Sequence, residues 1–86
     1  MKLIRTSGKV EEFEGTSLES WQKAVGGYIE TIPVEDGMLI INEEGKLKGL
    51  PINYTANLMA EGWIMPTDYI VGDVIFMTQE EASKIE

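Results

Sequence analysis

Residues 28–48, YIETIPVEDGMLIINEEGKLK, decide the fold class. Tyr28 to Val34 and Met38 to Asn42 are rich in β-branched and aromatic side chains and read as two strands. Glu35-Asp36-Gly37 joins them, and Asp-Gly is a strong tight-turn signal. Pro33 has no amide hydrogen to give, so it belongs at a strand end or on an edge. Asn42-Glu43-Glu44-Gly45 makes a second turn into Lys46-Leu47-Lys48, a third short strand. The centre of the chain is thus predicted to be a β-meander.

Upstream, Lys2 to Thr6 and Lys9 to Glu14 form a hairpin about Ser7-Gly8. Val10 and Phe13 fall on opposite faces of an ideal second strand, which predicts a bulge or an early end there. Thr16-Ser17-Leu18-Glu19 has the capping-box pattern and opens a helix from about Ser17 to Val25. Leu18, Trp21 and Val25 recur at helical spacing as its buried stripe, and Gly26-Gly27 stops it.

Downstream, Gly49-Leu50-Pro51-Ile52-Asn53 is a non-helical joint. Asn53 is the N-cap of a helix through Tyr54, Ala56, Leu58, Met59 and Ala60, which Gly62 ends. Trp63 to Thr67 is irregular. Tyr69 to Met77 is the most apolar strand, with a bulge at Gly72-Asp73. Thr78-Gln79-Glu80-Glu81 is a second capping box, opening a last helix with Ala82 and Ile85 as its apolar stripe. The element order ββαββ(β)αβα predicts an α+β fold, a mostly antiparallel sheet with two or three short helices packed on one face of it. The 86 residues make one domain, 1–86, with a small core.

The composition contains no Cys and no His. Disulfides, thiolate chemistry, the common zinc and haem ligand sets and histidine acid–base catalysis are therefore excluded. The net charge is −8, from 15 acidic and 7 basic residues. Such a chain is repelled by nucleic acid and by anionic membrane, so neither is expected as a partner. No apolar run is long enough for a membrane helix and no charged-then-apolar signal opens the chain, so a cytoplasmic location is expected. No cofactor or metal is expected. The acidic clusters at Glu11/Glu12/Glu14, Glu35/Asp36, Glu43/Glu44 and Glu80/Glu81 lack calcium-loop spacing and read as solvated charge.

LESWQKAVGGYIE at 18–30, NEEGKLKGLP at 42–51 with Asn53 beyond it, and IVGDV at 70–74 together resemble a family of small domains of unknown function carried by phages and other mobile elements. The resemblance spans Val10 to Met77. It implies no reaction. It implies a mobile-element origin and a place in the cytoplasm of a host bacterium.

Two features point to a ligand. Lys46 and Lys48, two apart on a strand, share a face and precede the Asn53-capped helix, whose free N-terminal amides suit an anion. Tyr54 or Trp63 is placed to cover a base, and Trp63 stands in a loop where an aromatic suits a pocket wall or a subunit interface. The bland reading of the lysines is a solvated strand face offsetting Glu43 and Glu44. The expected function is a small binding protein that sequesters a nucleotide-derived signal of bacterial immunity, without chemistry. The alternative is an acidic protein-interaction inhibitor, such as a DNA mimic. A third is a metal-assisted hydrolase of such a signal. A small core and the apolar run Trp63-Ile64-Met65 also predict a homo-oligomer.

Overall fold

Met38-Leu39-Ile40-Ile41 and Val74-Ile75-Phe76-Met77 are apolar without alternation, and the tertiary structure shows why. In the computed structural model, which describes residues 1–85, both runs lie in the middle of a sheet covered on both faces. The elements are β1 (Lys2–Ile4), β2 (Val10–Glu12), α1 (Leu18–Val25), β3 (Ile29–Val34), β4 (Gly37–Asn42), α2 (Tyr54–Ala60), β5 (Val74–Thr78) and α3 (Gln79–Ser83). The strands pair antiparallel in the order β2-β1-β5-β4-β3. The α+β fold with short helices on an antiparallel sheet is therefore the one expected.

The helices do not share one face. Ile4, Leu39 and Val74 pack with Ile32, Val34 and Ile70 under Ala56 and Ala60 of α2. Their chain neighbours Leu3, Ile40 and Ile75 pack on the opposite side with Val25 of α1, and Trp21 and Ala82 close over them. Successive residues in a strand point to opposite faces, so a strand covered on both sides is apolar at every position. The unbroken apolar runs were the sequence signal for this two-sided cover.

Several boundaries differ from expectation. The cap of α1 is Ser17, not Thr16. Ser17 Oγ accepts from the Ser20 amide at 3.1 Å, and Ser20 Oγ accepts from the Ser17 amide at 3.2 Å. Trp21 Nε1 donates to the Gly15 carbonyl at 2.9 Å and ties the segment between β2 and α1 to the helix. Leu18, in the first turn, is 54% exposed, so the packed stripe is Trp21, Ala24 and Val25. β2 ends early, at Glu12, with Val10 exposed and Phe13 folded onto the core.

The last strand is shorter than its apolar run. The backbone of residues 70–72 is taken up by residues 51–53, with Val71 bridged to Ile52, and by the side chains of Asn53 and Asn57; Gly72 then turns left-handed at φ 80°, so pairing within the sheet begins at Val74. Residues 43–49 are consecutive turns, so Lys46 and Lys48 are not on a strand and share no strand face. Pro33 lies on β3, one of the two edge strands. Asn53 caps α2 and Thr78 caps α3 with a Glu81 capping box, as expected.

The hairpin turn between β3 and β4 consists of Glu35 and Asp36, with Val34 paired to Gly37. Gly37 already belongs to β4. It is required by proximity, since a Cβ there would lie 2.0 Å from the Met77 carbonyl oxygen on β5.

Candidate functional site

The sequence blocks that suggested a ligand site are bonded to one another. Gly26 takes the left-handed conformation (φ 85°, ψ 23°) that ends α1, and its amide donates to Gln22 O at 2.8 Å. Buried Asn42, at the end of β4, donates to the Val25 carbonyl at 3.0 Å and accepts from the Glu44 amide at 2.8 Å. Lys48 Nζ donates to the Gly26 carbonyl at 3.1 Å. A Cβ on Gly27 would lie 2.6 Å from that ammonium and 3.1 Å from the Asn42 amide nitrogen, so the second glycine makes room for both. Lys48 thus brings positive charge to the negative end of α1.

A second knot holds the joint to the last strand. Asn53 is fully buried. Its Oδ1 accepts from the Ala56 amide at 3.0 Å, and its Nδ2 donates to Ile4 O at 3.0 Å and Gly72 O at 2.9 Å. One turn on, Asn57 pairs with Ile70 in both directions, accepting from its amide at 3.0 Å and donating to its carbonyl at 2.9 Å. Asp73 accepts from Arg5 Nη1 at 3.0 Å and from the Thr6 amide at 2.9 Å. The motifs ending in Gly27, in Asn53 and in Asp73 are thereby accounted for as fold. Asn53 has no polar side-chain atom left without a partner, and its cap engages the Ala56 amide of α2.

Two cavities are lined by residues that the sequence suggested for a ligand. The first, about 310 Å³, lies where the β3–β4 pair meets residues 43–47 and 68–71. Its floor is Ile32, Ile41 and Ile70, and its rim carries Glu30, Glu43, Lys46 and Asp68. Lys46 forms an ion pair with Asp68 and lies 4.3 Å from the centre of the Tyr69 ring. The second, about 280 Å³, runs between the β3–β4 turn and the end of α2. Leu58, Trp63 and Phe76 line it beside Glu35, Asp36 and Glu61.

The five sequence-predicted ligand residues are therefore not brought together. Lys46 lines the first cavity, and Trp63, 50% exposed, lines the second. Lys48 is at the end of α1, Asn53 is in the core, and Tyr54 is exposed on α2. Asp68, which holds Lys46, and Asn57 went unread. Their partners are 22 and 13 residues away and leave no local pattern.

Each displaced pKa favours the charged form. Hydrogen bonds to Glu11 first, and then Asp73, raise Arg5, and Arg5 in turn lowers Glu11. Lys2 lowers Glu12. Asp68 raises Lys46, while Lys46, followed by the Tyr69 amide, lowers Asp68. The terminal ammonium and the Thr78 amide lower Glu81. Groups poised for proton transfer near neutrality are shifted the other way, toward it. Among the described residues no group of three or more acidic side chains is placed to hold a metal ion, and no helix is long and apolar enough to cross a membrane.

A family described as a domain of unknown function (DUF3846) matches residues 3–85. No curated protein and no solved structure matches the chain.

Proposed function

We propose, for a chain that belongs to the DUF3846 family of domains of unknown function, that it acts by binding, and that its partner is a protein surface carrying positive charge. The observation that carries this reading is the allocation of charge over the fold. Lys2, Arg5, Lys46 and Lys84 are held in ion pairs, and Lys48 is held by a helix end. Exposed Glu30, Glu35, Asp36, Glu43, Glu44 and Glu61 have no ion-pair partner among the described residues. The outward field is negative, and the exposed apolar side chains Tyr54, Leu58, Trp63 and Met65 stand within it. A negative field steers basic partners and repels anionic ones, and exposed apolar groups supply affinity on contact. An inhibitor of a host enzyme, made from a phage or other mobile element in a bacterial cytoplasm, fits that surface.

The nucleotide-sequestering reading keeps one supporting observation, the 310 Å³ cavity with Lys46 above the Tyr69 ring. There an anion would have to displace Asp68 from Lys46. Affinity capture from a bacterial lysate at low and high salt, beside a melting-temperature panel of nucleotides, separates the two. A stoichiometric basic protein, retained at low salt and released at high salt, is expected. A nucleotide that raises the melting temperature by several degrees, with no protein retained, would instead favour sequestration.

A further inference from the structure

The groove beside Trp63 has walls of two kinds. Val34, Met59 and Phe76 give it an apolar base, and the half-exposed Trp63 indole stands at its rim. Glu35 and Asp36 reach it from the β3–β4 turn, and Glu61 from the end of α2. None of these three carboxylates has a side-chain hydrogen bond or an ion pair among the described residues, and no basic residue lines the groove. Next to it, Leu58 and Tyr54 continue as an apolar stripe along α2, 73% and 71% exposed.

Resting on the binding reading above, we infer that this groove is the docking site for an arginine, flanked by an apolar side chain, in a basic segment of the partner protein. Charge complementarity selects that occupant. Two carboxylates of the turn and one of the helix end face the same 280 Å³ space, and a guanidinium entering it meets acceptors on both sides. Guanidinium is planar, weakly hydrated and stacks on indole, so Trp63 offers it a face while the carboxylates take its N–H groups. The neighbouring apolar residue of the segment covers Leu58. A second copy of this chain is a poor occupant. It carries the same −8 charge, and four of its seven basic residues are already in ion pairs. An anionic nucleotide is excluded from this groove for the same reason.

The test is a titration of the full chain with the peptide acetyl-Ala-Arg-Leu-Arg-Ala-amide, and with its Glu-for-Arg counterpart, followed by amide and indole NMR shifts. Saturable shifts at the Trp63 indole and at the amides of Glu35, Asp36 and Glu61 are expected with the arginine peptide and not with the acidic one. The triple variant Glu35→Gln, Asp36→Asn, Glu61→Gln should weaken binding about tenfold or more while keeping the melting temperature, since all three side chains are exposed and unpaired. Trp63→Ala should weaken it as well. Shifts spread evenly over the acidic surface, equal affinity in the triple variant, or no binding of the arginine peptide would each overturn the site. Capture of a basic partner by wild type and triple variant alike would overturn the site and leave the binding reading standing. Capture by neither would overturn the binding reading itself.

Discussion

Lys48 Nζ lies 3.1 Å from the carbonyl oxygen of Gly26, so a lysine in the 42–51 block brings positive charge to the end of the helix in the 18–30 block. Lys48→Met should therefore cost roughly 0.3–1 kcal/mol of stability, more at low salt than at high. Lys46→Met, whose ammonium pairs instead with exposed Asp68, should show no helix-end effect. Urea unfolding of both variants at two salt concentrations checks this. A larger salt-dependent loss in Lys46→Met than in Lys48→Met would contradict the assignment.

Asn53 joins β1, the 70–73 segment and α2 through one amide. Asn53→Ala removes the cap and leaves the Ile4 and Gly72 carbonyls short of a donor, at a cost of about 3 kcal/mol or more. Asn53→Asp keeps an oxygen for the Ala56 amide yet turns a buried donor into a charge, and should be at least as damaging. Chemical denaturation measures both, and a loss under about 1 kcal/mol in either would count against the knot.

Gly37→Ala should be the most destabilising of the glycine-to-alanine changes in the hairpin and turns, because its Cβ meets the backbone oxygen of Met77 in a central strand. Gly49→Ala meets nothing within 4 Å and carries only the strain of its φ of 69°, roughly 1–2 kcal/mol. Thermal melts of the two variants rank them, and the reverse order would show that β4 and β5 separate readily at that end.

Trp21 is partly buried against the α1 side of the sheet and also donates to Gly15 O. Trp21→Ala should cost about 2–4 kcal/mol, and Trp21→Phe about 1 kcal/mol for the lost hydrogen bond. Unfolding free energies that are equal for the two variants would mean that the indole N–H, and not the ring, anchors the helix.

The ion pairs predict the shape of the pH profile. Glu11 and Asp68 are lowered from ordinary values of 4.5 and 3.8, so their stabilisation is complete above those values and is lost as pH falls through the lower folded-state pKa. Lys46 is raised from 10.5, so its stabilisation is complete below that value and is lost as pH rises through the higher folded-state pKa. Melting temperature against pH should show a plateau between the two limbs. Asp68→Asn should flatten part of both, and an unchanged profile would show that the Lys46 pair contributes nothing.

Signals that act within a few residues were legible in the sequence. Asn53 and Thr78 cap their helices through amides three residues on, Gly26 ends α1 on its own backbone freedom, and Pro33 is on an edge because it lacks a donor. Those facts and the order of apolar runs determined the α+β class. The cap at Ser17 went to the neighbouring hydroxyl because Ser17 and Ser20 satisfy each other and Trp21 reaches back to Gly15, contacts that the Thr16–Glu19 pattern cannot weigh. Which face each helix covers was decided by the sheet order, where β5 separates β1 from β4 and puts both faces of the central strands under cover. The fate of the charged and aromatic residues was likewise tertiary. Lys46 found Asp68 across 22 residues, Lys48 found a helix end, and Trp63 came to stand beside Glu35 and Asp36. The reason is one of range, since caps and turns are settled by the backbone of a single turn of chain, whereas a charge is settled by whatever the folded surface brings within a few ångströms of it.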